Sequence, residues 1–190
     1  VVKNKNTRLL LGKSILEWSI RQAEATPQIG CIVVSTNDPI AKDICATLKV
    51  SKPFQCISRP EEMSTATAIS ELSLIHAVNQ QEERPDFVIM LQPSSPIRLN
   101  NLIEKCINQI ESENADSLLT TLKIPDLFWF KRIDYSLMSY LPNEEKHKCI
   151  SWHSSYHPQD RKMKQQMSIE DYKYFDNGNV YITRTDLLLS

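Results

Sequence analysis

Glycine is scarce, at three in 190 residues, and no internal repeat or low-complexity segment is present, which excludes a repetitive or linker-like chain. Net charge is almost absent too: 22 Lys and Arg against 23 Asp and Glu leave a formal charge of −1 and a pI near 6.5. That balance gives no electrostatic footing for nucleic acid or for an anionic membrane. No apolar run approaches the ~20 residues that a bilayer-spanning helix needs, and no charged-then-apolar start marks a signal peptide. The five cysteines (Cys31, Cys45, Cys56, Cys106, Cys149) are an odd number without a CxxC pair. Cys31, Cys56 and Cys106 sit inside apolar patterns, as reduced thiols packed like small hydrophobes do. The expectation is one cytoplasmic α/β domain over 1–190, long enough for a real core, with no nucleic-acid or membrane partner.

What is present is an alternation of strands and helices. Phe87-Val88-Ile89-Met90-Leu91 has the length and β-branched content of a strand buried on both faces, and it ends at Gln92-Pro93. Proline offers no ladder donor and fixes φ, so the strand stops there. Leu102, Ile103, Cys106, Ile107 and Ile110 then recur at helical spacing. A polar loop therefore lies between the carboxyl end of a buried strand and a helix, where open α/β sheets bind ligands. Gln92, Ser94, Ser95 and Arg98 are the first site candidates on that ground.

The rest of the chain keeps this rhythm for two-thirds of its length. Helices are expected over 13–25, 39–48 and 68–81, with strands over 29–36, 54–57, 115–122 and 179–183 and a last helix from Thr185. Asp38 before Pro39 reads as a helix cap, and His76 as a structural histidine within its helix. The basic and Asn-containing start, Lys3 to Arg8, faces either solvent or phosphates. Such alternation points to a parallel sheet covered on both faces. Over 123–175 the rhythm breaks, and exposed aromatics such as Phe128, Trp129 and Phe130 fit an interface. Cys149, His153 and His157 have a metal-like spacing, but no fourth ligand accompanies them.

Five segments, in order, resemble one family. Leu91-Gln92-Pro93-Ser94-Ser95-Pro96-Ile97-Arg98 is similar to the LQPTSPLR segment of the acylneuraminate cytidylyltransferases, the CMP-sialic acid synthetases. Lys5-Asn6, with the run from Gly12 to Ile20, resembles KN…GKPLIAWSI. Val33-Val34-Ser35-Thr36-Asn37-Asp38 resembles VVSTDD, Arg59-Pro60-Glu61-Glu62-Met63 resembles RPAEL, and Asn177-Gly178-Asn179-Val180-Tyr181-Ile182 resembles NGAIYI. The resemblance implies a three-layer α/β/α sandwich with a mostly parallel, mixed sheet, of nucleotide-diphospho-sugar transferase type. It implies a nucleotidyltransferase in which the anomeric hydroxyl of a nine-carbon 2-keto sugar acid attacks the α-phosphorus of CTP, releasing pyrophosphate with Mg²⁺. Carried over by position, Lys5 would contact phosphates as a catalytic residue, with Lys164 a second cation for the reaction. Asn6, Arg59 and Ser70 would bind the nucleotide with Lys5. Gln92 and Asn177 would bind the sugar. Ser94 and Ser95 become shapers of the loop, because this reaction needs no enzyme nucleophile. The segment 123–175 would project to form a homodimer.

The sequence also departs from the family pattern. The family's opening strand and its glycine- and basic-rich phosphate loop precede the first residues here, and its two metal-holding aspartates would follow Ser190. The Mg²⁺ ligands are thus expected outside this sequence, and a missing central strand is expected to leave open sheet edges. The family's DTASS reads Ala66-Thr67-Ala68-Ile69-Ser70, and its RRQ reads Lys164-Gln165-Gln166, with Arg161 a second candidate for the lost charge. These changes fit a different sugar, such as legionaminic or pseudaminic acid, or a catalytically inactive nucleotide- or sugar-binding homologue. A CMP-Kdo synthetase-like activity is the nearest enzyme alternative, although its loop carries acidic residues that Gln92 to Pro96 lack.

Overall fold

The computed structural model describes residues 4–65, 68–133, 142–155 and 162–190. The chain divides into two compact units, 1–120 with 177–190, and 121–176.

In the first unit, a 3-10 turn (Lys5–Thr7) leads into a small antiparallel pair, β1 (Leu9–Leu10) and β2 (Lys13–Ser14). Helix α1 (Ile15–Glu24) starts where Ser14 Oγ accepts from Glu17 N, and Glu17 adds a negative charge to the positive end of the helix dipole. Its buried residues, Leu16, Ser19, Ile20 and Ala23, lie at helical spacing on one face. Strand β3 (Ile32–Thr36) pairs in parallel with β4 (Phe54–Ser58), from Ile32 opposite Phe54 to Thr36 opposite Ser58. Between them α2 (Pro39–Thr47) begins at Asp38, whose carboxylate accepts from Ile40 N at 2.9 Å, with Pro39 in the first turn. One core joins Leu16, Ile20 and Ala23 of α1 to Ile32 of β3 and Ala41 and Cys45 of α2.

A second core lies further along the same unit. Helix α3 (Ser70–Asn79) precedes β5 (Phe87–Met90), and α4 (Leu102–Ser112) follows it. Strand β9 (Tyr172–Arg184) lies between β5 and β6 (Ser117–Pro125) in a three-stranded sheet and runs antiparallel to β5. Ile103, Cys106, Ile107 and Ile110 of α4 pack on Val180 and Ile182 of β9. Ile110, Ile182 and Val180 are almost wholly enclosed, and each such side chain contributes roughly 1.5–3 kcal/mol by leaving water. A short helix, α5 (Thr185–Leu188), follows β9.

Several expectations change in detail. Helix α3 starts at Ser70 rather than 68, and β3 starts at Ile32 rather than 29. All four residues of β5 are only half-buried, not enclosed on both faces. The cause is pairing: among the described residues β5 has a strand on one side only, as does β3. His76 is not a satisfied histidine, since its Nδ1 is buried without a hydrogen bond. The last strand is longer than 179–183: β9 has 13 residues and holds Asn177-Gly178 inside it.

In the second unit, β7 (Trp129–Ile133) pairs antiparallel with β8 (Ile150–Ser154), so 123–175 is more regular than its sequence indicates. Trp129 stands opposite Ser154 and Lys131 opposite Trp152, which puts the two tryptophans diagonally on one face of the ribbon. Phe128 is half-buried against Phe175, with ring centroids 5.3 Å apart, so it is not among the exposed aromatics. Lys162 donates to both oxygens of Asp171, which also accepts from Ser168, and these bonds hold the Asp171 carboxyl down to about 2. The side chains of Phe130 and Cys149, and all of Ala66, Thr67, His157 and Arg161, lie outside the described residues.

Candidate functional site

The parallel register puts the carboxyl ends of β3 and β4 side by side, and Arg59 follows β4 directly. Its backbone N donates to Thr36 O at 3.1 Å. Its guanidinium donates through Nε to Ser35 Oγ at 3.2 Å and through Nη2 to Ser35 O. Burial draws its pKa below the ordinary arginine value, yet it remains a cation at neutral pH. Nη1 makes no hydrogen bond among the described residues, so the fork is anchored on one side and open on the other. Lys42 Nζ donates to Ser58 Oγ at 3.0 Å, adding a second positive charge to this corner.

Lys5 and Asn6 lie exposed on the first 3-10 turn. Asn4, Thr7, Arg8, Leu9 and Ile40 line an open depression of about 510 Å³ beside that turn, and neither Lys5 nor Asn6 lines it. Ser70 is exposed at the first residue of α3. All three are exposed, and no hydrogen bond among the described residues joins them to Arg59.

Gln92 comes close to Gly178, the residue after Asn177. Gln92 O accepts from Ser95 N at 3.1 Å, forming the turn that proline-flanked Ser94-Ser95 favours. Gly178 has φ +69°, and a Cβ there would stand 3.1 Å from Ser95 Oγ and 3.6 Å from Gln92 Oε1. Glycine thus lets β9 approach the loop closely. Asn177 Oδ1 accepts from Thr120 Oγ1 at 2.8 Å and from Asn179 N at 3.1 Å. With its oxygen engaged twice, the amide presents Nδ2 as the group left to donate. Gln92 Nε2 is likewise without a hydrogen bond among the described residues, while its Oε1 has only a long contact, 3.4 Å, from Ser94 Oγ. Two amide donors next to a half-buried loop suit the hydroxyl, carboxylate or N-acyl oxygens of a polar ligand.

Arg98 departs from its role as a ligand candidate. It is 8% exposed, and its guanidinium is taken up by four internal acceptors. Lys164 belongs to a 3-10 turn of the second unit, and its side chain lies outside the described residues. Thr120, which fixes the Asn177 amide, had no sequence signal beyond its place in a strand. Among the described residues no group of three or more His, Cys, Asp or Glu side chains is placed to hold a metal ion.

The profile of the family described as "Cytidylyltransferase" matches residues 2–184. The chain belongs to that family. It is 31% identical over 134 residues to the CMP-N,N'-diacetyllegionaminic acid synthase of Legionella pneumophila, covering 68% of this chain and 56% of that protein. It is 26% identical over 161 residues to the N-acylneuraminate cytidylyltransferase of Escherichia coli O18:K1:H7, covering 75% of this chain and 37% of that protein. The chain therefore spans 56% and 37% of the length of these two relatives. Among solved structures it is similar to a 4-diphosphocytidyl-2C-methyl-D-erythritol synthase from Anaerococcus prevotii, with a TM-score of 0.57 at 15% identity, covering 94% of this chain and 63% of that one. It is also similar to a CMP:2-keto-3-deoxy-manno-octonic acid synthetase complexed with CTP, with a TM-score of 0.56 at 13% identity, covering 99% of this chain and 70% of that one. These structural likenesses show the fold that this chain shares with both structures, an α/β fold with parallel and antiparallel strands, the parallel pair β3–β4 and the antiparallel pair β5–β9 lying in separate sheets among the described residues.

Proposed function

We propose that the protein is a cytidylyltransferase that moves CMP from CTP to a nine-carbon sialic-acid-like sugar, an N-acylneuraminate or a sugar of legionaminate or pseudaminate type. The observation that carries this reading is the close approach of the Gln92 loop to Gly178, next to Asn177, inside a chain of the cytidylyltransferase family. In the reaction the sugar's anomeric oxygen forms a bond to the α-phosphorus, the bond to the bridging oxygen breaks, and pyrophosphate leaves with the electron pair. The hydroxyl proton passes to solvent or a base. Such chemistry needs charge neutralisation and in-line placement rather than a covalent enzyme intermediate. Arg59, with Lys5, Asn6 and Ser70, binds the nucleotide in this scheme, Lys164 adds charge, and the Gln92 and Asn177 amides hold the sugar acid. Mg²⁺ is the proposed cofactor, and the described residues do not supply a ligand set for it.

Calorimetry with CTP, followed by pyrophosphate release on adding N-acetylneuraminate, legionaminate, pseudaminate or Kdo, tests the reading. Turnover with a nine-carbon acid and not with Kdo is the expected result. CTP binding without turnover on any acid by the full-length protein would overturn it in favour of an inert binding protein.

The second unit is proposed to pair with a second copy. Trp129 and Trp152, on one face of the β7–β8 ribbon, are 56% and 60% exposed, an apolar cost that an interface removes. Sedimentation at micromolar concentration should give a homodimer, and a monomer would refute this. No helix among the described residues is long and apolar enough to cross a membrane. The unpaired thiols of Cys31, Cys45, Cys56 and Cys106 fit the proposed cytoplasmic location.

A further inference from the structure

Arg98 is a cation held in the protein by neutral groups. Nε donates to Asn179 O of β9 at 2.9 Å, Nη1 to Ser19 Oγ at 3.2 Å and Gln22 Oε1 at 2.8 Å on α1, and Nη2 to Gln92 O at 3.0 Å. Burial lowers its pKa to about 10, so the charge persists at neutral pH. None of these acceptors is a carboxylate, so the usual reason for enclosing a guanidinium, a buried ion pair, does not apply. What the group supplies is shape. Its planar fork sends donors in three fixed directions, and those directions reach a helix, a strand and the turn at Gln92. A lysine ammonium has three donors at one point and cannot span them.

The rest of the loop is tied to the same framework. Gln22 also donates through Nε2 to Pro96 O at 2.9 Å, so one glutamine grips Arg98 with its oxygen and the loop with its nitrogen. Gln92 O receives both Ser95 N and Arg98 Nη2, which occupies both lone pairs and fixes the peptide from which the Gln92 side chain starts. On the far side Asn179, whose carbonyl Arg98 holds, also donates its N to Asn177 Oδ1. Arg98 is thus bonded to the backbone adjoining both amides of the candidate sugar site without lying in it.

We infer that Arg98 is a positioning residue for sugar-acid recognition, holding the Gln92 amide and, through Asn179, the Asn177 amide in place by bolting the Gln92 and Asn179 backbones to α1. This rests on the proposed function for its substrate, but the clamp itself can be measured without turnover. In Arg98→Lys, which keeps the charge and loses the fork, hydrogen exchange at the Ser95 amide should rise at least tenfold. The KM for N-acetylneuraminate should rise about tenfold, with the KM for CTP within twofold of wild type. Gln22→Ala, at a half-buried position, should shift the same two quantities in the same direction by a smaller factor, and it decides the matter if Arg98→Lys does not fold. Unchanged Ser95 exchange overturns the inference, as does an equal rise in both KM values, which is what general loosening of the fold would give. If the wild-type protein releases no pyrophosphate with any sugar acid, the functional reading falls, and the clamp then stands or falls on exchange alone.

Discussion

Arg59, after β4, and Arg98, in the loop that leaves β5, both exchange water for hydroxyl and carbonyl oxygens, but to different depths. Arg59 is half-buried and grips one residue, Ser35, with Nη1 left over. Arg98 is 8% exposed and donates to four residues from three parts of the chain. A guanidinium fastened along one edge is pre-oriented and still has a face for an anion. One whose fork is filled from three sides is part of the scaffold. The same residue type after a strand is therefore held in two different ways, and the number of donors left over separates them.

The largest expected effect is at the open arginine. Arg59→Met should weaken CTP binding by about 100-fold, the loss of roughly 3 kcal/mol that charge-assisted hydrogen bonds reach. Calorimetry checks this; unchanged CTP affinity would erase the distinction between the two corners. Next comes Gly178→Ala. At φ +69°, with its new Cβ 3.1 Å from Ser95 Oγ, the variant should lose about 1–2 kcal/mol in urea unfolding. Its KM for the sugar acid should rise while its CTP affinity holds, and the reverse pattern would move the sugar site away from Gln92. Thr120→Val removes the donor to Asn177 Oδ1 and the acceptor for Val180 N. It should cost about 1 kcal/mol of stability and a few-fold in sugar-acid KM. Ser35→Ala is milder, since Arg59 keeps the Ser35 carbonyl. A two- to threefold weaker CTP affinity is expected, about 0.5 kcal/mol.

The smallest effect at neutral pH concerns α1, the helix to which Arg98 is tied. Near its end Glu24 accepts from Ser51 N and Oγ and from Arg21, and these bonds bring its carboxyl down to about 2 from an ordinary 4.5. Between those values the unfolded chain binds more protons than the folded one. The stability Glu24 contributes is therefore present above about 4.5 and lost as pH falls through about 2. Thermal melts from pH 6 to 2 should show a drop in midpoint that is shallower in Glu24→Gln. Identical slopes would mean that this carboxylate does not anchor α1.

Much of the fold is legible in the chain because it depends on local physics. The 16, 19, 20, 23 and 103, 106, 107, 110 spacings make helix faces, Asp38-Pro39 starts a helix, and Gln92-Pro93 ends a strand, all within a few residues. The Gln92 loop is legible as a site for the same reason, since it follows a strand and precedes a helix. The depth of β5 is not, because half-burial depends on which strands stand beside it, and it has one. Nor is the β7–β8 ribbon, whose short strands are joined by pairing across the segment between them and carry no long period of their own.

The sequence by itself determined the family, the order of the helices and the loop that carries Gln92, because motif order and hydrophobic period are properties of neighbouring residues. Only the tertiary structure decided which arginine keeps a nitrogen without a hydrogen bond among the described residues, and that the Gln92 loop meets β9 at Gly178. The filling of the Arg98 fork depends on acceptors from elements 76 to 81 residues away in the chain, and residue type alone does not carry that number.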